Sequence, residues 1–446
     1  MRLPGSPPAG HSSPASAPGT ERCCDDPAAL LLSITSLSHG PDGVARHGAR
    51  VVFVPGVAPG DRVRVRLVEE RGSFARAEVV HRCAPGPAYR EPPCPWVSAC
   101  GGCPWQHVAY PAQLEAKARN VRDALGRIAR VAATRELRII GAPHEWAYRH
   151  RIRLHVGNGR ELGYMESRSH RIVEIGACAV ADPLLSALLA PLRRLLPALT
   201  MRLRSIELMT NGRGGTVVTA VADGPYCETD TRTIARFLDD VASVAGMHLA
   251  GRGWTRSFGD PTITVTPDGA TPSIRQRPGT FTQVNTDANH LLVRAVVALA
   301  APAAHVLDLF CGAGNLSLPL AHAGAHVLGV DRNREAIADA AASTAAAGLT
   351  RVRFEASAAE HFLRQQGLAG AELVVLDPPR SGAAAVATQL ARLRPPRILY
   401  VSCDPATLAR DVGTLAAADY AVDRVQPIDL FPHTEHVETV LEAVRR

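Results

Sequence analysis

Strand-like apolar runs at 305–310 (HVLDLF), 326–331 (HVLGVD) and 372–379 (ELVVLDPP) alternate with helical stretches through the C-terminal part of this chain. Nearly continuous apolar strands are covered on both faces, and the intervening helices demand parallel crossovers. Few folds meet both demands. The pattern predicts an α/β fold, a doubly wound Rossmann-like domain over residues 271–446, with ligands at the carboxyl ends of its strands.

The N-terminal part has a different rhythm. Gly-, Pro- and Asp-rich breaks divide residues 30–88 into period-two strands, which predicts a small five-stranded β-barrel over residues 29–88. Alternation turns Arg62, Arg64 and Arg66 outward, a face suited to phosphates and equally to plain solvation. Residues 89–110 read as a Cys/Pro/Gly-rich loop and 111–131 as an amphipathic helix. The remainder of a central region, 89–270, mixes strands (148–156, 216–221) with a helix (184–195).

Residues 1–28 are rich in Pro, Ser, Gly and Ala and lack the apolar stretch of a signal peptide. A disordered tail and a cytoplasmic protein are expected. The absence of a run of about 18 uncharged apolar residues argues against a transmembrane helix, so no membrane partner is expected. The 446 residues carry a net charge of +7, split as +8 over 1–270 (33 basic, 25 acidic) and −1 over 271–446 (16 and 17). An anionic partner is therefore expected on the N-terminal side. Lys117 is the only lysine among 49 basic residues. Arginine forks suit phosphates and base edges, although GC-rich coding gives the same bias. Ten cysteines are too few for a disulfide-built scaffold, so clustered thiols point to metal binding or catalysis. Cys23, Cys24, Cys83 and Cys227 stand apart and read as incidental, and Cys311 as packing.

Polar clusters close several of the C-terminal strands. The first, Asp308-Leu-Phe310-Cys-Gly312-Ala-Gly314-Asn315, is a glycine turn opening a helix, where backbone can approach a ligand. Asp331 ends the next strand, 17 residues after Gly314, placed to accept hydrogen bonds from ribose hydroxyls. The third glycine of the dinucleotide fingerprint is replaced by Ser317, and Asp308 suits a cationic sulfonium better than a pyrophosphate. Both points favour a methyl donor over a nicotinamide cofactor. The second cluster is Asp377-Pro-Pro-Arg380-Ser-Gly382, whose prolines aim Asp377 into the cleft. The third is Ser402-Cys403-Asp-Pro405, a candidate nucleophile, although a single cysteine in such a core is more often inert packing. His433, His436 and Glu438 lie past a further strand end and add a candidate base.

Jointly, FTQVN (281–285), DLFCGAGN (308–315), DPPRSG (377–382), SCDPATLARD (402–411) and FPHTEHVE (431–438) resemble the TRAM-domain RNA uracil-5-methyltransferases, which use S-adenosylmethionine. The resemblance spans about residues 30–446. It implies that Cys403 attacks carbon 6 of uracil, that carbon 5 takes the methyl group, and that Glu438 removes the carbon-5 proton. Asp377 would hold the uracil edge. Gln283, Phe310, Asn315, Asp331 and Asp377 match the family's cofactor positions. FEASAAEHF (354–362) lacks the Asp or Asn expected near the adenine, where Ser357 could substitute. The family resemblance also allows the helix after Cys103 to pack on the catalytic domain, so limits near 105–135 are soft.

Cys94, Cys100 and Cys103, with Cys178 further on, supply four thiolates in a turn-rich loop, which suits either zinc or an iron–sulfur cluster. The family's pattern implies a 4Fe-4S cluster with a structural or RNA-folding role. The expected partner is RNA, ribosomal before transfer RNA, acted on by a monomer. Two alternatives are an amino-group methyltransferase built on the DPPR turn and a non-catalytic iron–sulfur RNA-binding protein.

Overall fold

The computed structural model describes residues 29–131, 137–266 and 272–446; the 1–28 tail, with Cys23 and Cys24, lies outside them. Among the described residues the C-terminal sheet has seven strands: β1 (His305–Leu309), β2 (His326–Asp331), β3 (Val352–Ala356), β4 (Leu373–Leu376), β5 (Arg397–Ser402), β6 (Tyr420–Ile428) and β7 (Glu438–Arg445). Their order is β3-β2-β1-β4-β5-β7-β6. β1 to β5 are parallel, and β7 runs antiparallel between β5 and β6. Successive residues of one strand enter opposite cores. Leu307, Leu309, Leu376 and Tyr400 face one side, while Val306, Leu373, Val375 and Leu399 face the other. That two-sided burial explains the nearly continuous apolar runs.

Sheet order reverses between β1 and β4, which opens a crevice at their carboxyl ends. Because β7 is antiparallel, its first residue, Glu438, lies at this same edge. A long segment from Asp429 to Val437 links β6 to β7 there.

The N-terminal barrel contains six strands where five were expected. The difference is a break at Ile34–Thr35. Leu30–Ser33 pairs with Arg62–Glu70, and its continuation Ser36–Leu37 pairs with Gly43–His47, so one bent strand serves both ends of the sheet. Val63 and Val65 are buried between exposed Arg62 and Arg66, with Arg64 half-buried. The central sheet also has seven strands among the described residues, covered by helices Leu189–Ala198 and Asp230–Asp240. Helix Tyr110–Ala124 and the π-helical turn Leu125–Ala129 bury Val121, Ala124, Leu125 and Ala129 in the C-terminal core. No helix among the described residues is long and apolar enough to cross a membrane.

Candidate active site

At the crevice, β1 ends in a left-handed turn: Phe310, Gly312 and Gly314 have φ of +63°, +54° and +92°. Phe310 holds a strained conformation of the kind that functional turns tolerate. A Cβ on Gly312 would meet nothing within 4 Å, so this backbone faces open space. Asp331 closes the turn, its Oδ2 accepting the Gly312 N–H (3.0 Å) and its Oδ1 the Asn333 N–H (2.8 Å). Asn315 and Asn289 exchange amide hydrogen bonds of 3.0 and 2.8 Å. Gln283 is half-buried, two residues before Asn285, which caps helix Thr286–Ala300. Ser357 lies beside Asp331, donating its N–H to the Asp331 carbonyl (3.0 Å) and its hydroxyl to the Ala358 carbonyl (3.3 Å).

Asp308 is fully buried under the turn. Its Oδ2 accepts the Ser317 hydroxyl, and its Oδ1 has no partner. Burial, reinforced by the charges of Asp377 and Asp331, pushes its carboxyl up to about 7. Asp377 and Asp331 both act on Asp308 beside the open glycine turn, a gathering of carboxyl groups that would favour a sulfonium cation over an anionic ligand. These residues fit S-adenosylmethionine.

The loop after β4 is held by helix Pro405–Ala416. Asp411 Oδ2 accepts the Ala383 N–H and the Tyr400 hydroxyl, each at 2.7 Å. The Thr407 hydroxyl donates to the Arg380 carbonyl (3.2 Å), and Arg410 Nη2 to that of Ser381 (3.0 Å). Gly382 has φ +73°, and a Cβ there would lie 2.5 Å from Arg410 Nη2 and 2.7 Å from Asp411 Oδ2. The LARD end of one motif thus shapes the DPPRSG loop of another. At the other end of the helix, Asp404 Oδ1 accepts the N–H groups of Ala406 (3.0 Å) and Thr407 (2.8 Å), an N-cap that stops β5 at Ser402.

Cys403 sits between that strand end and the cap. Ser402 pairs with Thr439 at the end of the β5–β7 register, and Cys403 and Glu438 adjoin that last pair, near enough for the Glu438 charge to act on the thiol. Burial, then the charges of Glu438 and Asp377, pushes the Cys403 thiol up to about 12, with Arg380 opposing. Glu438 is buried with Oε2 unpartnered. Burial, then Asp377, holds its carboxyl well above the usual range, again against Arg380. Burial raises Asp377 to about 7. Arg380 is the cation common to this group, and its Nη2 lies 3.1 Å from His436 Nε2. Sequence reasoning did not single it out, although it stands inside a quoted motif three residues from Asp377.

His433 is not an available base. It is fully buried, stacked on Trp146 at 4.0 Å, with Nε2 2.8 Å from the Glu145 carbonyl and Nδ1 2.9 Å from Arg90 Nη2. Burial first, then Arg90, lowers its pKa to about 3. Its carbonyl accepts the N–H of buried Trp105 (2.9 Å), directly after the cysteine loop.

Cys94, Cys100, Cys103 and Cys178 are free thiols lining one apolar pocket with Trp96, Val97 and Tyr164. Their convergence and donor chemistry fit a thiolate-held group. Even so, no set of three or more His, Cys, Asp or Glu among the described residues is placed to hold a metal ion. Of the cysteines read as incidental, Cys227 is a free thiol and Cys83 is disulfide-bonded, so Cys83 departs from that expectation. Cys311 is buried in the glycine turn, as a packing residue would be.

The chain is similar to known proteins over most of its length. A family model described as tRNA (Uracil-5-)-methyltransferase matches residues 109–445, and a TRAM domain model matches residues 29–80. A 23S rRNA (uracil(1939)-C(5))-methyltransferase from Shewanella amazonensis is 35% identical over 421 residues, covering 92% of this chain and 94% of the relative. An uncharacterized RNA methyltransferase from Thermosynechococcus vestitus is 36% identical, covering 93% and 97%. The fold is similar to that of a Pyrococcus abyssi tRNA (uracil-54, C5)-methyltransferase solved with S-adenosyl-L-homocysteine (TM-score 0.75, 24% identity, covering 93% and 99%).

Proposed function

The chain belongs to the tRNA (uracil-5-)-methyltransferase family, acting on carbon 5 of a uridine in RNA with S-adenosylmethionine as donor, and we propose that Cys403 is its nucleophile and Glu438 its base. The observation that carries this reading is that Cys403 and Glu438 adjoin the last pair of the β5–β7 register, Ser402 and Thr439, and share one electrostatic neighbourhood with Asp377 and Arg380.

Carbon 5 of uracil is a poor nucleophile until something adds to carbon 6. The Cys403 sulfur bonds to carbon 6 as its proton passes to water, and the ring electrons move onto carbon 5 and its carbonyl. Bound S-adenosylmethionine supplies the electrophilic methyl group that carbon 5 accepts. Glu438 then takes the carbon-5 proton, the sulfur–carbon bond breaks, its electron pair returns to sulfur, and the ring double bond is restored. A base that must remove a proton from carbon benefits from the high proton affinity that burial gives Glu438. Arg380 favours the charged forms of both Cys403 and Glu438. Asp377, titrating near neutrality, can donate a hydrogen bond to a uracil carbonyl while protonated. Gln283, Phe310, Asn315, Asp331 and Asp377 are the residues we assign to the methyl donor.

The substrate we propose is 23S rRNA, the RNA named for the relatives of similar length, with transfer RNA second. Such a substrate implies cytoplasmic action, and we take the working unit to be a single chain. The target uridine must be splayed out of its stack to reach Cys403. Residues 29–88 would grip the RNA with Arg62 and Arg66, residues 89–270 would carry the cysteine group, and 271–446 the chemistry.

For Cys94, Cys100, Cys103 and Cys178 we propose a 4Fe-4S cluster before zinc. The four sulfurs share one pocket that would suit either group, and the order rests on the resemblance of their spacing to the family's cluster pattern. Iron and acid-labile sulfide in protein purified without oxygen would support the cluster, and stoichiometric zinc would replace it.

The decisive experiment is trapping on RNA carrying 5-fluorouridine at the target, where the fluorine cannot leave as a proton. A covalent complex mapped to residue 403 is expected. Full turnover by Cys403→Ser would instead favour amino-group methylation, and RNA binding without any methyl transfer a non-catalytic role.

A further inference from the structure

Arginine stands at every basic position of this chain except one: Lys117 is the single lysine among 49. Coding bias accounts for arginine wherever either cation would serve, so the exception marks a place where a guanidinium does not. That place is the interior. Lys117 is fully buried, and its ammonium donates to Asp429 Oδ1 at 2.6 Å and to the Phe431 carbonyl at 2.9 Å. A compact ammonium satisfies two acceptors at that spacing, whereas a planar fork needs more room and more partners.

Stability is a poor explanation for such a pair. Burying two charges costs about as much as their attraction returns, and well-packed apolar residues often do as well. What the pair does provide is a fixed geometry. Lys117 lies on helix Tyr110–Ala124, and Gln113 is one turn earlier on the same face. Gln113 Oε1 accepts the His433 N–H at 2.7 Å, and its Nε2 lies 3.2 Å from His433 Nδ1. One helix face thus grips Asp429, Phe431 and His433. These residues belong to the segment joining β6 to β7, whose ends meet where Ile428 pairs with Glu438.

We infer that Lys117, assisted by Gln113, is a positioning residue that sets the 429–437 segment so that Glu438 is aimed at carbon 5. The inference rests on the Cys403–Glu438 reading given above. It assigns Lys117 to proton removal, after the sulfur–carbon bond has formed, because the polar contacts of this helix face fall on residues 429–433. The helix meets the 405–416 helix after Cys403 through apolar side chains further along, Val121 and Ala124.

The test compares Lys117→Arg, Lys117→Met and the double variant Lys117→Met/Asp429→Asn, which leaves no lone buried charge and keeps an acceptor for the Phe431 N–H that Asp429 Oδ1 also holds (2.9 Å). Methylation of the natural RNA is followed together with the covalent protein–RNA complex. The double variant is expected to melt near the wild-type temperature, to turn over at least about tenfold more slowly, and to accumulate the complex that the wild type passes through unseen. Lys117→Arg should behave in the same direction. Wild-type turnover by Lys117→Arg or by the double variant overturns the proposal, as does slow turnover with no accumulated complex. Trapping of the wild type on 5-fluorouridine RNA is a separate measurement, so failure here leaves the Cys403 reading standing. An amine-acylating reagent gives a first check, since Lys117 should resist it in native protein and react only after unfolding. Ready labelling in the native state also overturns it.

Discussion

The two halves of the crevice use carboxylates in opposite ways. Under β1 and β2, Asp331 has both oxygens engaged by backbone N–H groups, and that satisfaction shapes the turn. Across β4, β5 and β7, Glu438 keeps an oxygen without a partner, and its charge adds to the burial that raises the Cys403 thiol. Satisfied groups build a cradle for a bound molecule. Groups left short of partners hold reactivity in reserve, because burial without compensation shifts their proton affinities toward the work required. Asp308 crosses the line, since it lies under the cradle and yet has an orphaned oxygen.

The contrast breaks most sharply at Cys403. Cys403→Ala should lower methyl transfer by about three orders of magnitude or more while leaving RNA affinity within a few-fold, as measured by filter binding. Retention of turnover would place the chemistry elsewhere. Glu438→Gln should slow turnover by about 10²–10⁴-fold and leave the covalent complex visible on denaturing gels. Gly382→Ala forces a side chain into a left-handed position against Arg410 and Asp411. A loss of about 1–3 kcal/mol in denaturant unfolding is expected, with a comparable fall in activity. An unchanged midpoint would mean that the loop tolerates a shift.

Asp308 gives an effect no larger than that at Gly382, and the finest test. Its pKa of about 7 in the folded state lies above that of an ordinary aspartate near 4, so folding takes up a proton. Its contribution to stability is fully present below about pH 4 and is lost as pH rises through about 7. Asp308→Asn removes the titration. The variant should gain stability on going from pH 5 to pH 8, reaching about 1–3 kcal/mol over the wild type in thermal melts. A gain that does not grow with pH would mean that Oδ1 is satisfied.

Local pattern carried much of this molecule. The alternating cores of β1, β4 and β5 made the C-terminal strands legible, because two-sided burial leaves a nearly continuous apolar run. Asp377 and Cys403 were legible because prolines follow them at strand ends. Other features are set by contacts between distant segments, which no local window contains. His433 looked like a base until Trp146, Arg90 and Glu145 enclosed it. The barrel's sixth strand comes from a two-residue break that periodicity runs straight through. Arg380 sat within a quoted motif, but its reach toward Cys403 and Glu438 depends on how Asp411 and Thr407 fold the loop.

That break in the first barrel strand has a practical consequence. A strand that bends to pair at both ends makes the two outer strands of the sheet short halves of one kinked segment, in place of the long straight edges through which open sheets recruit one another into aggregates. A basic module of some fifty residues can therefore project toward a polyanion without offering itself as a template for self-association.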